Sequence, residues 1–308
     1  MPDKIILVTG GAGFIGSHLC EALLADGYRV RVVDDLSMGR VENVPRECEF
    51  LEGSVHDKAV LERAMPGVFA ICHEAARVTI RGSLDKFYED AETNLMGTLA
   101  LLRSAGEHRV KRFIYASSMA VYADSPKPMP VSESHTTNPI SPYGIAKLAA
   151  EQYLLLVAPP LGIQPVVLRY FNTFGTRQTY TPYVGVITIF VTRLLKKEGI
   201  TIYGKGDQVR DFVHVSDIVQ ANLLSLRSSV SGSIFNVGTG RGTSVIELAE
   251  LLKEMLYPAA TIHYQPARAE ELRNSIADIS GISQSLGYQP GTDLRKQIAE
   301  VIDSLRIA

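Results

Sequence analysis

In the stretch SPYGIAK, residues 141–147, a tyrosine and a lysine stand four positions apart just after a proline. On a helix this spacing stacks Tyr143 and Lys147 one turn apart on one face. A cation beside a phenol favours phenolate, so the pair predicts a Tyr143 pKa below the usual value of about 10. Such a tyrosine takes a proton from an alcohol near neutral pH. Upstream, YASSMAVY at 115–122 closes an apolar run with two serines, Ser117 and Ser118. A hydroxyl at the carboxyl end of a strand can share the moving proton and orient a substrate. The residues alone leave open which serine does so, and a serine pair also caps loops.

A second constellation suits a phosphate. TGGAGFIG at 9–16 spaces Gly10, Gly13 and Gly16 by three, and Gly11, Gly13 and Gly16 fit GxGxxG. Glycines there allow a tight turn and let backbone N–H groups reach a pyrophosphate at a helix N-terminus. Asp34 ends the next strand-like run. A carboxylate there accepts hydrogen bonds from both hydroxyls of an adenosine ribose and repels a 2′-phosphate, which favours NAD over NADP. The adjacent Asp35 either makes a nearby contact or faces solvent.

These residues need elements to hold them. KIILV at 4–8, RVRVV at 29–33, VFAIC at 68–72, RFIYAS at 112–117, VVLRY at 166–170, ITIY at 200–203 and IFNVG at 234–238 read as strands. Helical spacing runs from Phe14 to Ala25, where Gly27 suits the C-cap, and over 58–65, 89–107, 143–157, 186–197, 244–256 and 292–305. Alternation of this kind predicts an α/β chain with a doubly wound parallel sheet and helices on both faces. The loop at 173–185, TFGTRQTYTPYVG, is polar and turn-rich and reads as functional. A smaller α/β lobe is expected from the last third. The expected cofactor lobe covers 1–172 with a return at about 209–240. The second lobe covers 173–208 and 241–308.

The bulk properties exclude other classes. The chain has 308 residues, 46% of them hydrophobic, and a formal net charge of -2. That suits a globular protein with a sizeable core and gives nucleic acid no basic face. The first residues lack the pattern of a signal peptide, and no run is long enough to span a membrane. Cys20, Cys48 and Cys72 form no CxxC pair and read as core residues in a reducing compartment. The histidines show no metal-ligand spacing. A cytoplasmic protein without a metal is expected.

Taken in order, TGGAGFIG, Asp34, HEAARVTIRGS, SSMAVY, YGIAK and LRYFNTFG resemble the extended short-chain dehydrogenase/reductases, from about residue 4 to about residue 305. Within them the chain is similar to nucleotide-sugar epimerases of the UDP-glucose 4-epimerase type. The resemblance implies a Rossmann sheet, a resident NAD and a catalytic set of Ser118, Tyr143 and Lys147. It implies a cofactor site formed by Gly10, Gly13, Phe14, Ile15, Gly16, Asp34, Asp35, Ser54, Val55, Ala75 and Ala76 with Tyr143 and Lys147. For the UDP-sugar it implies Ser118, Asn172, Tyr203, Arg210, Arg268, Glu271 and Ser275. Asn172 and the two arginines would hold the diphosphate, and Tyr203 would lie by the uracil. In such relatives Tyr143 takes the proton of the sugar 4-OH, and C4 is oxidised and then reduced on its other face.

The site also bears on the reaction type. Dehydratases of this family carry an Asp-Glu pair after the catalytic threonine, and decarboxylases usually keep the glutamate; here those positions are Met119 and Ala120. Ser275 stands where a tyrosine would restrict the sugar pocket, so N-acetylated sugars are expected to enter with glucose and galactose. Four positions depart from the common pattern: Ser54 for an aspartate, Glu74 for an apolar residue, Thr176 for a proline and Glu270 for a glycine. They keep a uronic acid epimerase, a 4-ketosugar reductase or a dehydratase as alternatives. Leu95, Met96, Leu99, Leu101 and Leu102 on one helix, and Leu148, Leu154, Leu155 and Leu156 on another, cover more than one face, which predicts a homodimer.

Overall fold

The structure, a computed structural model, describes residues 4–78, 82–125, 127–179, 185–267, 272–291 and 293–307. Its first part runs β1 (Ile5–Thr9), α1 (Phe14–Ala25), β2 (Arg29–Asp34), β3 (Glu49–Glu52), α2 (Lys58–Ala64), β4 (Val68–His73), α3 (Gly82–Asp85), α4 (Phe87–Ala91) and α5 (Thr98–Glu107). Then follow β5 (Arg112–Ser118), β6 (Pro130–Val131), α6 (Pro142–Val157), β7 (Gln164–Tyr170) and β8 (Asn172–Phe174). The remainder comprises α7 (Val186–Leu195), β9 (Ile200–Tyr203), β10 (Val209–Arg210), β11 (Phe212–His214), α8 (Val215–Arg227), β12 (Ser233–Val237), β13 (Thr243–Ser244) and α9 (Val245–Leu256). It closes with β14 (Ile262–Gln265), β15 (Asn274–Ala277), α10 (Ser280–Leu286) and α11 (Leu294–Ile307).

Seven strands form the main sheet in the order β12-β7-β5-β4-β1-β2-β3, every pair parallel. The chain winds outward from β1 in one direction through β2 and β3, then returns to β4 and winds the other way. The order therefore reverses between β1 and β4, and a crevice opens beyond their carboxyl ends. β1 is buried along its whole length, IILVT, because both faces are covered. Leu19 and Leu23 of α1 and Ile218 of α8 pack on Val8, Ile114 and Leu168 on one face. Leu61 of α2, Leu101 of α5 and Leu154 of α6 pack on Leu7, Ile71 and Val167 on the other. A separate core joins Phe190, Leu248, Ile298 and Val301 of α7, α9 and α11 to Ile200 and Ile202 of β9.

The α/β doubly wound sheet predicted from the alternation is present. Several elements differ from the sequence reading, among them the unpredicted α3, α10 and the short strands β6, β8, β10, β11 and β13–β15. The helix expected over 89–107 is α4 and α5 joined by a π-helical turn at Glu92–Gly97. Asn94 in that turn engages both backbone groups of Arg77, at 3.0 Å each. Helix α8 was not expected, because its N-cap is His214 rather than Ser, Thr, Asp or Asn, and the preceding DFVHV reads as a strand. β3 is a four-residue edge strand with exposed glutamates at both ends, too short to show alternation.

Candidate functional site

The glycine loop turns at the sheet's reversal point. Gly10 has φ +71, and a Cβ there would lie 2.7 Å from the backbone nitrogen of Ala75. A Cβ on Gly16 would lie 2.2 Å from the Gly10 carbonyl oxygen. Only glycine lets the loop, the start of α1 and the end of β4 come this close. Gly13 is the N-cap of α1 and supplies no side chain to its first turn, where Phe14 and Ile15 follow; the open N–H groups suit a pyrophosphate.

Asp34 ends β2 and is 8% exposed. Its carboxylate accepts the Ala12 N–H at 2.9 Å and the Leu36 N–H at 2.8 Å. Burial raises its pKa and these two donors pull it back, so the anion is fixed in one orientation. A carboxylate offers about four acceptor positions, so room remains for ribose hydroxyls. Asp35 is exposed and accepts the Ser37 N–H at 3.0 Å, closing its own turn. Ser54 pairs with His56 at 2.9 Å, Val55 is buried in the core, and the Ala75 N–H reaches Thr9 Oγ1 at 3.3 Å. Ala76 follows on the same half-buried stretch. The cradle and the oriented acid fit a dinucleotide.

The two serines of β5 part company. Ser117 is buried and donates to Glu151, which Arg169 grips in a bidentate pair at 2.9 and 2.7 Å. Ser118 is half-exposed, accepts the Ala120 N–H at 3.2 Å and meets Tyr143. Helix α6 starts with Ser141 as N-cap, bonded to the Gly144 N–H at 3.1 Å, and Pro142 at its first position. A Cβ on Gly144 would sit 2.4 Å from the Ala120 carbonyl oxygen. The absent side chain brings α6 against the SSMAV turn and Tyr143 beside Ser118.

Lys147 is 2% exposed and donates to the Ala116 carbonyl at 2.8 Å. Its ammonium lies 4.9 Å from the Tyr115 ring centre and 5.9 Å from that of Tyr143. Burial drops the Lys147 pKa to about 8, against the pull of Glu74, Asp90 and Glu151. The expected lowering of Tyr143 is corrected here: burial pushes its phenol up to about 12. The Ser118 hydroxyl lowers it, but the charges of Asp90 and Glu74 raise it further. The helical spacing was right, yet desolvation of a buried phenol outweighs a lysine whose ammonium is turned toward a carbonyl.

A second group lies where β10 pairs with β15, which sets Arg210 opposite Ser275. Asn172 Nδ2 donates to Ser275 Oγ at 3.0 Å, so these three form one cluster. Ser275 is 3% exposed. The Arg210 guanidinium donates to the carbonyls of Val209 and Arg273, both at 3.0 Å. Asp211 anchors the cluster, accepting from Thr239, Gly240 and Ala277. Tyr203 ends β9 and holds Gln208 through its carbonyl at 3.0 Å. Arg268, Glu270 and Glu271 lie outside the described residues, as do 180–184 of the polar loop.

Sequence reasoning missed several groups that build this site. His73 links Thr9 at 2.7 Å to Thr98 at 2.9 Å and is held neutral, its pKa depressed to about 3 by burial. Glu151 and Arg169 form the buried pair behind Ser117. Neither has a local signal, because the partners are distant in sequence. Asp211 could have been found from the run VRDF, where an acid beside an arginine enters an otherwise apolar strand.

The chain resembles a putative UDP-glucose 4-epimerase of Methanocaldococcus jannaschii, 36% identical over 303 residues and 98% of both proteins. A UDP-glucose 4-epimerase of Thermotoga maritima, solved with UDP-glucose, superposes with a TM-score of 0.95, 40% identity and 99% coverage of each chain. A UDP-N-acetylglucosamine 4-epimerase of Methanobrevibacter ruminantium, solved with UDP-N-acetylmuramic acid, gives 0.94 at 33% identity, covering 100% of this chain and 99% of that one. The NAD dependent epimerase/dehydratase family matches residues 6–238, from the first strand of the main sheet, β1, through the last of that sheet, β12. With the glycine cradle, the oriented Asp34 and the Ser–Tyr–Lys cluster all inside that span, the chain is an extended short-chain dehydrogenase/reductase of the NAD dependent epimerase/dehydratase family, and NAD is its cofactor.

Proposed function

We propose that the protein is a nucleotide-sugar 4-epimerase that interconverts UDP-glucose with UDP-galactose and UDP-GlcNAc with UDP-GalNAc through a transient 4-keto sugar. The observation that carries this reading is the pairing of Ser118 and Tyr143 at the open end of the sheet, with Met119 and Ala120 in the turn between them. That turn offers no second acid–base pair for loss of water or of carbon dioxide, which supports oxidation and reduction at C4.

Bound NAD supplies the acceptor and donor of hydride at sugar C4. Tyr143 Oη takes the O4 proton and later returns it, while Ser118 Oγ orients O4 through a hydrogen bond. Lys147 holds the nicotinamide ribose and keeps positive charge beside the phenol. Asn172, Arg210 and Arg268 hold the diphosphate, Tyr203 stacks by the uracil and Glu271 completes the nucleotide contacts. The 4-keto sugar turns over between the two hydride transfers, so no redox equivalent is consumed and NAD stays tightly bound. Ser275, small and tied to Asn172, leaves space for an N-acetyl group. In this reading residues 1–172 and 209–240 form the cofactor lobe, and 173–208 and 241–308 the nucleotide-sugar lobe.

The same reading includes a homodimer in the cytoplasm. α4, the π-helical turn and α6 expose Phe87, Tyr88, Met96, Ile145, Tyr153 and Leu156 at 49% to 76%. Such a strip favours a copy of itself. No helix among the described residues is long and apolar enough to cross a membrane. NMR of the purified protein with UDP-galactose or UDP-GalNAc, no cofactor added, tests the reaction. Formation of the gluco epimers supports it. Unchanged sugars with folded, NAD-loaded protein would rule it out. A monomeric mass by light scattering at micromolar concentration would remove the dimer.

A further inference from the structure

Glu74 stands just past the carboxyl end of β4, in a position where the resemblance leads one to expect an apolar residue. Its N–H donates to the Thr9 carbonyl at 3.1 Å, and a Cβ on Gly10 would lie 2.9 Å from its carbonyl carbon. It therefore sits at the reversal point of the sheet, directly before Ala75 and Ala76. Tyr170 Oη donates to Glu74 Oε1 at 2.8 Å, and Asn222 Nδ2 donates to Tyr170 Oη at 2.6 Å. Tyr170 and Asn222 are 7% and 0% exposed, whereas Glu74 is only half-buried. Two residues from β7 and α8 thus hold a carboxylate at the crevice. The groups that act on it electrostatically are Lys147 and Tyr143 of α6, Tyr170 of β7 and Cys72 of its own strand. Lys147 is the cation among them.

We propose that Glu74 is a built-in counter-charge for the cofactor, a positioning residue whose carboxylate, held by Tyr170 and Asn222, biases the bound dinucleotide toward its oxidised form. The proposal rests on NAD occupying the crevice. Oxidised nicotinamide is a cation and reduced nicotinamide is neutral, so a nearby anion stabilises only the oxidised ring. Unit charges roughly 10 Å apart at an effective dielectric of about 20 shift such an equilibrium by roughly ten-fold. For a two-electron couple that is about 30 mV. Burial lifts the Glu74 pKa to about 7, partly offset by the Tyr170 hydrogen bond and by Lys147. The bias is therefore present above that pH and lost below it.

The test first strips resident cofactor by mild denaturation and refolding, equilibrates the refolded protein with NAD+ and NADH at a fixed ratio, desalts rapidly, and measures the reduced fraction of bound cofactor by absorbance from pH 6 to 9. Wild type should retain roughly ten-fold more oxidised cofactor, relative to reduced, than Glu74→Gln at pH 8. The difference should close as pH falls through about 7. Glu74→Leu, checked for folding by circular dichroism, serves if the glutamine variant misfolds and should behave alike. Equal ratios in wild type and either folded variant, or a difference independent of pH, would overturn the proposal. Failure of wild type to take up either form would instead remove the cofactor assignment beneath it.

Discussion

Gly144→Ala is a sharp test of how the site is assembled. In the interior of an ordinary helix this substitution stabilises by about 1 kcal/mol. At this position the new Cβ would lie 2.4 Å from the Ala120 carbonyl oxygen and 2.9 Å from Pro139 Cβ. A carbon–oxygen contact settles near about 3.3 Å, so α6 and the SSMAV turn must separate by roughly 0.9 Å. Neither atom is the end of a flexible side chain, so the backbone itself must move. Overpacking of this kind costs about 1–3 kcal/mol, which more than cancels the helical gain. Ser118 is on the turn and Tyr143 on the helix, so the same separation opens the contact between them. A misplacement of about 1 Å can cost roughly 100-fold in rate. The assay pairs thermal melting with the initial rate of UDP-galactose conversion. The expected result is a lower melting temperature and a kcat reduced about 100-fold with KM nearly unchanged. A variant that melts higher than wild type and turns over normally would refute the claim that close approach at Gly144 sets the Ser118–Tyr143 geometry.

Three other outcomes are expected. Lys147→Met should abolish turnover yet stabilise the fold by about 2 kcal/mol below pH 8, since the depression from 10.5 to about 8 represents about 3 kcal/mol and the lost Ala116 hydrogen bond returns about 1. The folded pKa of Lys147 lies below the unfolded one, so the unfolded chain binds the extra proton between pH 8 and 10.5; wild-type stability rises with pH there, and denaturant melts should show the variant's advantage fading across that window. Ser275→Tyr should lower kcat/KM for UDP-GalNAc at least 100-fold while sparing UDP-galactose within about ten-fold; parallel losses on both sugars would show a packing defect instead. Glu151→Gln breaks the buried pair with Arg169 and should cost about 3–5 kcal/mol in urea melts.

The parts of the site that were legible in sequence share one property: each is local. Gly10, Gly13 and Gly16 fall within one turn, Tyr143 and Lys147 within one helical repeat, and Asp34 at the end of an alternating strand. Local spacing cannot say which of Ser117 and Ser118 faces the crevice. That is decided by Glu151 and Arg169, which arrive from α6 and β7 and claim Ser117. Likewise Asn172, Arg210 and Ser275 are separated by up to 103 residues and meet only through the pairing of β10 with β15. The π-helical turn at 92–97 was hidden because Asn94 in it binds the backbone of Arg77, a partner 17 residues away that local periodicity does not reveal.

The phenol of Tyr143 shows why spacing gave the wrong sign. A helical neighbour predicts activation, but burial charges a larger cost, and the two acids near the phenol, Asp90 and Glu74, oppose ionisation as well. The protein's own groups therefore hold the proton on Tyr143 at neutral pH, even though Lys147, with a pKa lowered only to about 8, is still mostly charged there. To act as a base the phenol needs further positive charge at close range. In the proposed reaction, oxidised nicotinamide held beside Lys147 would supply that charge, and reduced nicotinamide would not. Tyr143 would then accept a proton only while the cofactor can accept hydride, and would give it back once the ring is neutral. The coupling of the two transfers follows from keeping the resting phenol unactivated, and it makes the high Tyr143 pKa a working feature of the site rather than a defect in it.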